Sequence, residues 1–345
     1  MTEPHNDTHG EQNQPKEGTM LLARMAEAVY WAGRYLERAE GTARIVQVHT
    51  DTHVDLPVGA DVGWEPLLSI VGVDTEFAAR YRAAAGDEAA AAEADVIEFL
   101  LHAEDNPSSI LASLAAARAN LRMARPVVPR EAWEICNSLW LASCDHLIEA
   151  SSREGRVQWL RRVVSGCQRI NGVLLGTMSR DEAMAFLWIG QNLERADLTT
   201  RVLDVRSDNL HPSGGDDPYE VVHWMAVLRS LAAYQPFRRA MPARPHGGST
   251  LRFLLQDDRF PRAVSACLSE TRAHLKVLPR TEDVLDACTN AAMLVASAPV
   301  SRLTLSGLSE FLDEVQIALG DIHLRIDGTY FHPPLTRWHP EFASS

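Results

Sequence analysis

Residues 31–44 read Trp31-Ala-Gly33-Arg-Tyr-Leu36-Glu37-Arg38-Ala39-Glu40-Gly-Thr42-Ala-Arg44, and residues 188–201 read Trp188-Ile-Gly190-Gln-Asn-Leu193-Glu194-Arg195-Ala196-Asp197-Leu-Thr199-Thr-Arg201. The second stretch follows the first at an offset of 157 without a gap, as W-x-G-x-x-L-E-R-A-[ED]-x-T-x-R. Two further matches keep nearly that spacing. Phe99-Leu100-Leu101, Pro107, Leu114, Arg118 and Leu121 return 154 residues later as Phe253-Leu254-Leu255, Pro261, Leu268, Arg272 and Leu275. Gly176-Thr177 returns 152 residues later as Gly328-Thr329. Self-similarity in one unchanging order is the mark of a repeated unit. The expectation is an all-α, internally duplicated multi-helix bundle with pseudo-twofold symmetry. Its halves fall at 20–176 and 177–330, between a disordered polar tail at 1–19 and a C-terminal tail at 331–345.

Around these motifs, apolar residues recur at three- and four-residue spacing. This predicts helices near 20–48, 64–83, 88–104, 107–124, 131–150, 153–175, 179–206, 218–240, 260–277, 282–297 and 303–325. Ser151-x-x-Glu154 and Ser179-x-x-Glu182 have the form of capping boxes, and Asn106-Pro107 offers a proline at a first helical position. Breaker clusters at 57–63, 211–218 and 241–248 read as loops, and the Ala-rich stretch 83–94 as a helix start.

On a helical wheel the first motif puts Val29, Gly33, Leu36, Glu40 and Ala43 in one stripe, with Glu37 and Arg44 at its flank. The second puts Phe186, Gly190, Leu193 and Asp197 there, with Glu194 and Arg201 beside them. Each copy thus drives an acid into a face that should be buried, and each supplies an arginine four residues on, within ion-pairing reach. An unpaired buried carboxylate costs about 3–5 kcal/mol, so Glu40–Arg44 and Asp197–Arg201 are expected as pairs. Gly33 and Gly190 remove bulk where a helix backbone or a ligand must come close. The candidate binding residues are therefore Glu37, Glu40, Arg44, Glu194, Asp197 and Arg201, with Arg118 and Arg272 as weaker candidates. They admit two readings. In one they are internal clasps; in the other they gather in a central cleft that binds a cation, a carboxylate or a peptide, or performs acid–base work. Trp31 and Trp188 point away from the acid stripe and read as packing or interface anchors.

Composition narrows the chemistry. The chain has 345 residues, 46% hydrophobic and 23% charged, enough for a large core. A net charge of −13 argues against nucleic-acid binding, which calls for a basic face. Lysine occurs only at Lys16 and Lys276, which leaves Schiff-base and phosphate-loop lysine chemistry almost without a candidate. Glu220-Val-Val-His223 is the only E-x-x-H, with Leu68 at the corresponding place in the first half, so a paired carboxylate–histidine metal site lacks its ligands. No metal or other cofactor is expected. Cys136, Cys144, Cys167, Cys267 and Cys288 form no C-x-x-C and read as reduced, buried thiols. With no apolar leader in 1–19 and no long apolar run, a cytoplasmic protein without a membrane span is expected.

The doubled motif, with Asn106-Pro-Ser-Ser-Ile110, Arg259-Phe-Pro-Arg262 and Gly176-Thr-Met178, resembles the bacterial alpha-E domain family over residues 20–330. That resemblance implies an all-helical cytoplasmic protein. It also implies as partners a circularly permuted ATP-grasp-type ligase and a transglutaminase-like protease, in a system that forms or cuts amide or peptide bonds, with a peptide as a possible substrate. The family's Glu-Arg positions would fall on Glu37, Arg38, Glu40, Arg44, Glu194, Arg195, Asp197 and Arg201. The expected role is that of an accessory or binding component. The alternatives are an enzyme using the carboxylates for acid–base or amide-transfer chemistry, with or without a metal, and an oligomeric helical scaffold with structural ion pairs. Gln191 in place of Arg34, and Asp197 in place of Glu40, imply copies of unequal function.

Overall fold

A computed structural model describes residues 21–55, 63–82, 92–208, 219–242, 244–303 and 307–333. The expected tail at 1–19, the loops at 57–62 and 211–218 and most of the Ala-rich stretch lie outside these residues. The fold is all-α: the described residues hold fifteen α-helices and no strand. In chain order these are α1 (Ala23–Asp55), α2 (Glu65–Val71), α3 (Asp74–Phe77), α4 (Glu93–Leu101), α5 (Ile110–Met123), α6 (Arg130–Asp145), α7 (Arg153–Thr177), α8 (Glu182–Asp208), α9 (Glu220–Ser230), α10 (Tyr234–Ala240), α11 (Gly247–Gln256), α12 (Val264–Leu275), α13 (Glu282–Ala296), α14 (Val300–Leu303) and α15 (Leu308–Ile326).

The two motif helices, α1 and α8, lie against each other at the centre. Around α1 pack α5 and α7, with α6 bridging those two; around α8 pack α12 and α15, with α13 bridging them. The connections also cross over: α2 lies on α8, whereas α9 lies on α1. One continuous apolar core follows, running from Val29, Leu36 and Ile45 on α1 to Leu193, Val202 and Leu203 on α8 and outward to the flanking helices.

Several expected boundaries need correction. The helix predicted over 64–83 breaks at Gly72, whose left-handed backbone (φ 73°) caps α2. The helix predicted over 218–240 breaks at Ala232, which also has positive φ, 54°. α11 was not expected, because Gly247 and Gly248 stand at its first turn among breakers. His246 caps that helix by accepting from the Ser249 backbone N–H. Ser152 rather than Ser151 caps α7, accepting from the N–H of Gly155. At the start of α8, Asp181 rather than Ser179 accepts from the N–H groups of Ala183 and Met184. α5 begins at Ile110 behind Ser109 rather than at Pro107, since Asn106 is taken up in donating to the carbonyl of Phe99. The C-terminal tail does not start at 331, because a last wide helical turn at Asp327–Phe331 buries the ring of Phe331.

Candidate functional site

The centre of the molecule is set by two glycines. A Cβ on Gly33 would overlap the carbonyl oxygen of Leu187, and a Cβ on Gly190 would overlap that of Tyr30. The close approach read from the sequence is therefore helix backbone on helix backbone. It is reciprocal, since Tyr30 and Leu187 are themselves matched positions of the two motifs.

Just beyond the glycines, each glutamate takes the arginine of the other copy. Arg38 donates to Glu194 through Nε (2.6 Å) and Nη2 (3.2 Å), and Arg195 donates through Nε to Glu37 at 2.9 Å. Adjacent Glu-Arg residues cannot pair with each other along a helix, since i and i+1 side chains diverge. Across two helices in close contact they can. Each glutamate also takes a second guanidinium, from an arginine that the repeat does not duplicate. Glu194 accepts from Arg34 Nε at 2.7 Å, and Glu37 accepts from Arg262 Nη1. The matched sequence positions carry Gln191 and Ser108, so neither second arginine has a counterpart in the other stretch, yet both acids are doubly paired.

Glu40 extends the lattice. Its Oε1 accepts from Arg44 at 2.7 Å, from Arg262 at 3.2 Å and from Gln168 of α7 at 3.2 Å. Arg262 thereby ties Glu37 to Glu40. The wheel placed Glu37 and Glu194 at the flank of the buried stripe, but Glu37 is fully buried and Glu194 nearly so, because the flank is where α1 and α8 meet. Asp197 departs from its expected place as well. It pairs with Arg201 (2.9 Å) as the spacing predicts, yet its side chain is 24% exposed at the margin of the lattice. Its side chain is one methylene shorter than that of Glu40, and among the described residues only Arg201 forms an ion pair with it.

Electrostatics follow the geometry. Burial alone would raise the Glu194 carboxyl, but the guanidiniums of Arg34 and Arg38 outweigh it and hold the group at about 2. Glu37 is lowered in the same way, with Arg195 and Arg262 overcoming its burial. Both acids are thus charged, enclosed and paired with guanidiniums on both oxygens, which leaves neither poised to take a proton or a cation. Among the described residues no group of three or more His, Cys, Asp or Glu is placed to hold a metal ion. Glu220 accepts from the indole of Trp224 instead.

Arg118 and Arg272 do not reach the acids. Arg118 donates to Asn137 (2.6 Å) and lies over the Trp140 ring, and Arg272 lies beside Cys288. Cys136, Cys167, Cys267 and Cys288 are buried, and burial pushes the thiols of Cys136, Cys267 and Cys288 up to about 12. Arg34, Arg262 and Gln168 were not among the expected site residues. Arg34 broke the repeat at Gln191, and Arg262 closed the Arg259-Phe-Pro-Arg262 stretch, so both carried a signal; Gln168 carried none.

A helical domain whose two central helices exchange Glu-Arg pairs is thus defined by fold and site. The family model described as "a predicted alpha-helical domain with a conserved ER motif" matches residues 21–331, and the chain belongs to this Alpha-E family. Two relatives, each described as an uncharacterized protein, come from Mycobacterium bovis and Mycobacterium tuberculosis. Each is 24% identical over 277 residues, covering 74% of this chain and 30% of the relative. The chain therefore spans under a third of the length of these curated relatives. No solved structure matches it. No helix among the described residues is long and apolar enough to cross a membrane.

Proposed function

We propose that this protein is a helical accessory component of a bacterial, cytoplasmic amide- or peptide-bond-forming system. It binds an ATP-grasp-type ligase, or the peptide that ligase modifies, alongside a transglutaminase-like protease. In this reading the chain is a duplicated unit of two halves, 20–176 and 177–330. The buried glutamates clasp the halves together, and the half-exposed Asp197–Arg201 pair faces the partner.

The observation that carries the reading is the state of the central acids. Glu37 and Glu194 are each held as carboxylates between two guanidiniums, away from solvent. A general acid or base needs a pKa near the working pH and access to the reacting atom. These groups have neither, so recognition is favoured over catalysis. The Mycobacterium relatives add support, since a segment like this one is there joined to a much longer remainder of chain. That arrangement suits a component acting beside other domains.

The test is to replace Glu40 by Gln and Asp197 by Gln, singly and together, and follow melting temperature alongside co-purification with the ATP-grasp-type protein and partner-dependent ligation. Glu40→Gln is expected to lower the melting temperature. Asp197→Gln is expected to leave folding intact and weaken both partner readouts. Full partner binding and ligation in folded Asp197→Gln would remove that pair from the proposal.

A further inference from the structure

The two motifs also differ four residues after each tryptophan, where Tyr35 is matched by Asn192. On α1, Tyr35 stacks on Trp31 with ring centroids 5.4 Å apart, and the Arg38 guanidinium lies 5.4 Å from the Tyr35 ring. An aromatic ring is thus held between a tryptophan and the motif arginine. Four residues after Trp188, the matched position on α8 carries Asn192. Trp188 is half-buried and makes no ring contact within the described residues. Here the surface opens into a cleft of about 540 Å³ between α8 and α12, lined by Trp188, Asn192 and Arg195.

Asn192 faces this cleft. The residue is only 4% exposed, no hydrogen bond ties its amide to another described residue, and it lines the cleft. Arg195, also in the lining, engages Glu37 through Nε alone. Its terminal nitrogens keep donors for something else. Trp188, Asn192 and Arg195, at i, i+4 and i+7, share one helix face.

The charge of the lining limits what could bind. Arg180, Arg195 and Arg259 are offset by Asp181, Asp258 and Glu270, so the cleft does not concentrate positive charge as a polyphosphate site would. It suits a ligand with one negative charge and a ring. We propose that the cleft between α8 and α12 binds an aromatic carboxylate, such as the C-terminal aromatic residue of a peptide. The ring lies on Trp188, where Tyr35 lies on Trp31, and the carboxylate accepts from Arg195 and the Asn192 amide. This site is separate from the partner-facing pair and needs no partner protein.

Calorimetric titration of the full chain with N-acetyl-L-phenylalanine tests it. The expected result is saturable binding at about 1 mM or tighter, weakened about tenfold or more in N-acetyl-L-phenylalaninamide, which lacks the charge. Asn192→Asp keeps the shape and adds a repelling carboxylate, and Asn192→Tyr rebuilds the ring of the first motif; both should lose binding while still melting cooperatively. Ala273→Trp, at an exposed position of α12 on the cleft wall, should also lose it, and serves if the Asn192 variants fold poorly. The proposal is overturned by no saturation up to about 10 mM, by equal affinity for the amide, by tighter binding of adenosine monophosphate, or by unchanged affinity in folded Asn192→Asp or Ala273→Trp.

Discussion

At Glu194, burial and ion pairing pull in opposite directions and pairing wins. That outcome fixes the sign of a pH effect. The carboxyl is held at about 2 in the folded chain and returns to the ordinary glutamate range, about 4.3, when unfolded. A group depressed by folding contributes stability that is complete above its unfolded pKa and is lost as pH falls through its folded one. Denaturant midpoints should therefore hold steady above about pH 5 and fall between about pH 4.5 and 2. Glu194→Gln leaves Arg34 and Arg38 facing each other without an anion, and should cost about 3–5 kcal/mol at pH 7 while flattening the acid slope. Urea unfolding across that range checks both; an unchanged slope in the variant would place the acid sensitivity elsewhere.

The doubled motif made Glu37, Glu194 and their arginines readable from the chain, and the i,i+4 pairs Glu40–Arg44 and Asp197–Arg201 followed from spacing alone. The crossing of the pairs did not. A helical wheel describes one helix in isolation, and it ranks Glu37 as a flank residue because it has no term for a second helix lying along that flank. Arg262 illustrates the same limit. It follows a sharp chain reversal in which Asp257 accepts from the N–H of Phe260, and its reach to Glu37 over 225 residues depends on where α12 settles.

At the scale of elements, Gly33 and Gly190 decide how close α1 and α8 come. Gly190→Ala would put a methyl group into the Tyr30 carbonyl and should cost about 2 kcal/mol or more, since backbone cannot give way as a side-chain tip can. Gly172, on the exposed face of α7, meets nothing within 4 Å of an added Cβ. Gly172→Ala should instead stabilise by up to about 1 kcal/mol through lower chain entropy and better helix propensity. Thermal or denaturant melts of the two variants should move in opposite directions, and a shared direction would contradict the packing described. Periodicity located the long helices well, because a stripe over five or more turns is hard to mistake. It failed at α11, where two glycines opened a helix of ten residues, and at Gly72 and Ala232, where a single left-handed residue divided an apolar run.

Over the whole molecule, Glu37 on α1 is neutralised from the C-terminal half, and Glu194 on α8 from the N-terminal half. Neither half is electrostatically complete alone. Residues 20–176 produced by themselves would strand Glu37 without Arg195 and Arg262, and residues 177–330 would strand Glu194 without Arg34 and Arg38. Each half alone should melt without cooperativity by circular dichroism, and mixing the two should restore a cooperative transition. Two halves that each melt cooperatively, unaffected by mixing, would mean that the central lattice is not what joins them.

The exchange of partners between the two motifs can be measured by double-mutant cycles in unfolding free energy. The four residues Glu37, Arg38, Glu194 and Arg195 are replaced singly and in pairs by alanine. Crossed pairing predicts coupling of about 1 kcal/mol or more for Glu37 with Arg195 and for Arg38 with Glu194, and coupling near zero for the chain neighbours Glu37–Arg38 and Glu194–Arg195. Strong coupling within each neighbouring pair, with none across α1 and α8, would contradict the account at its centre.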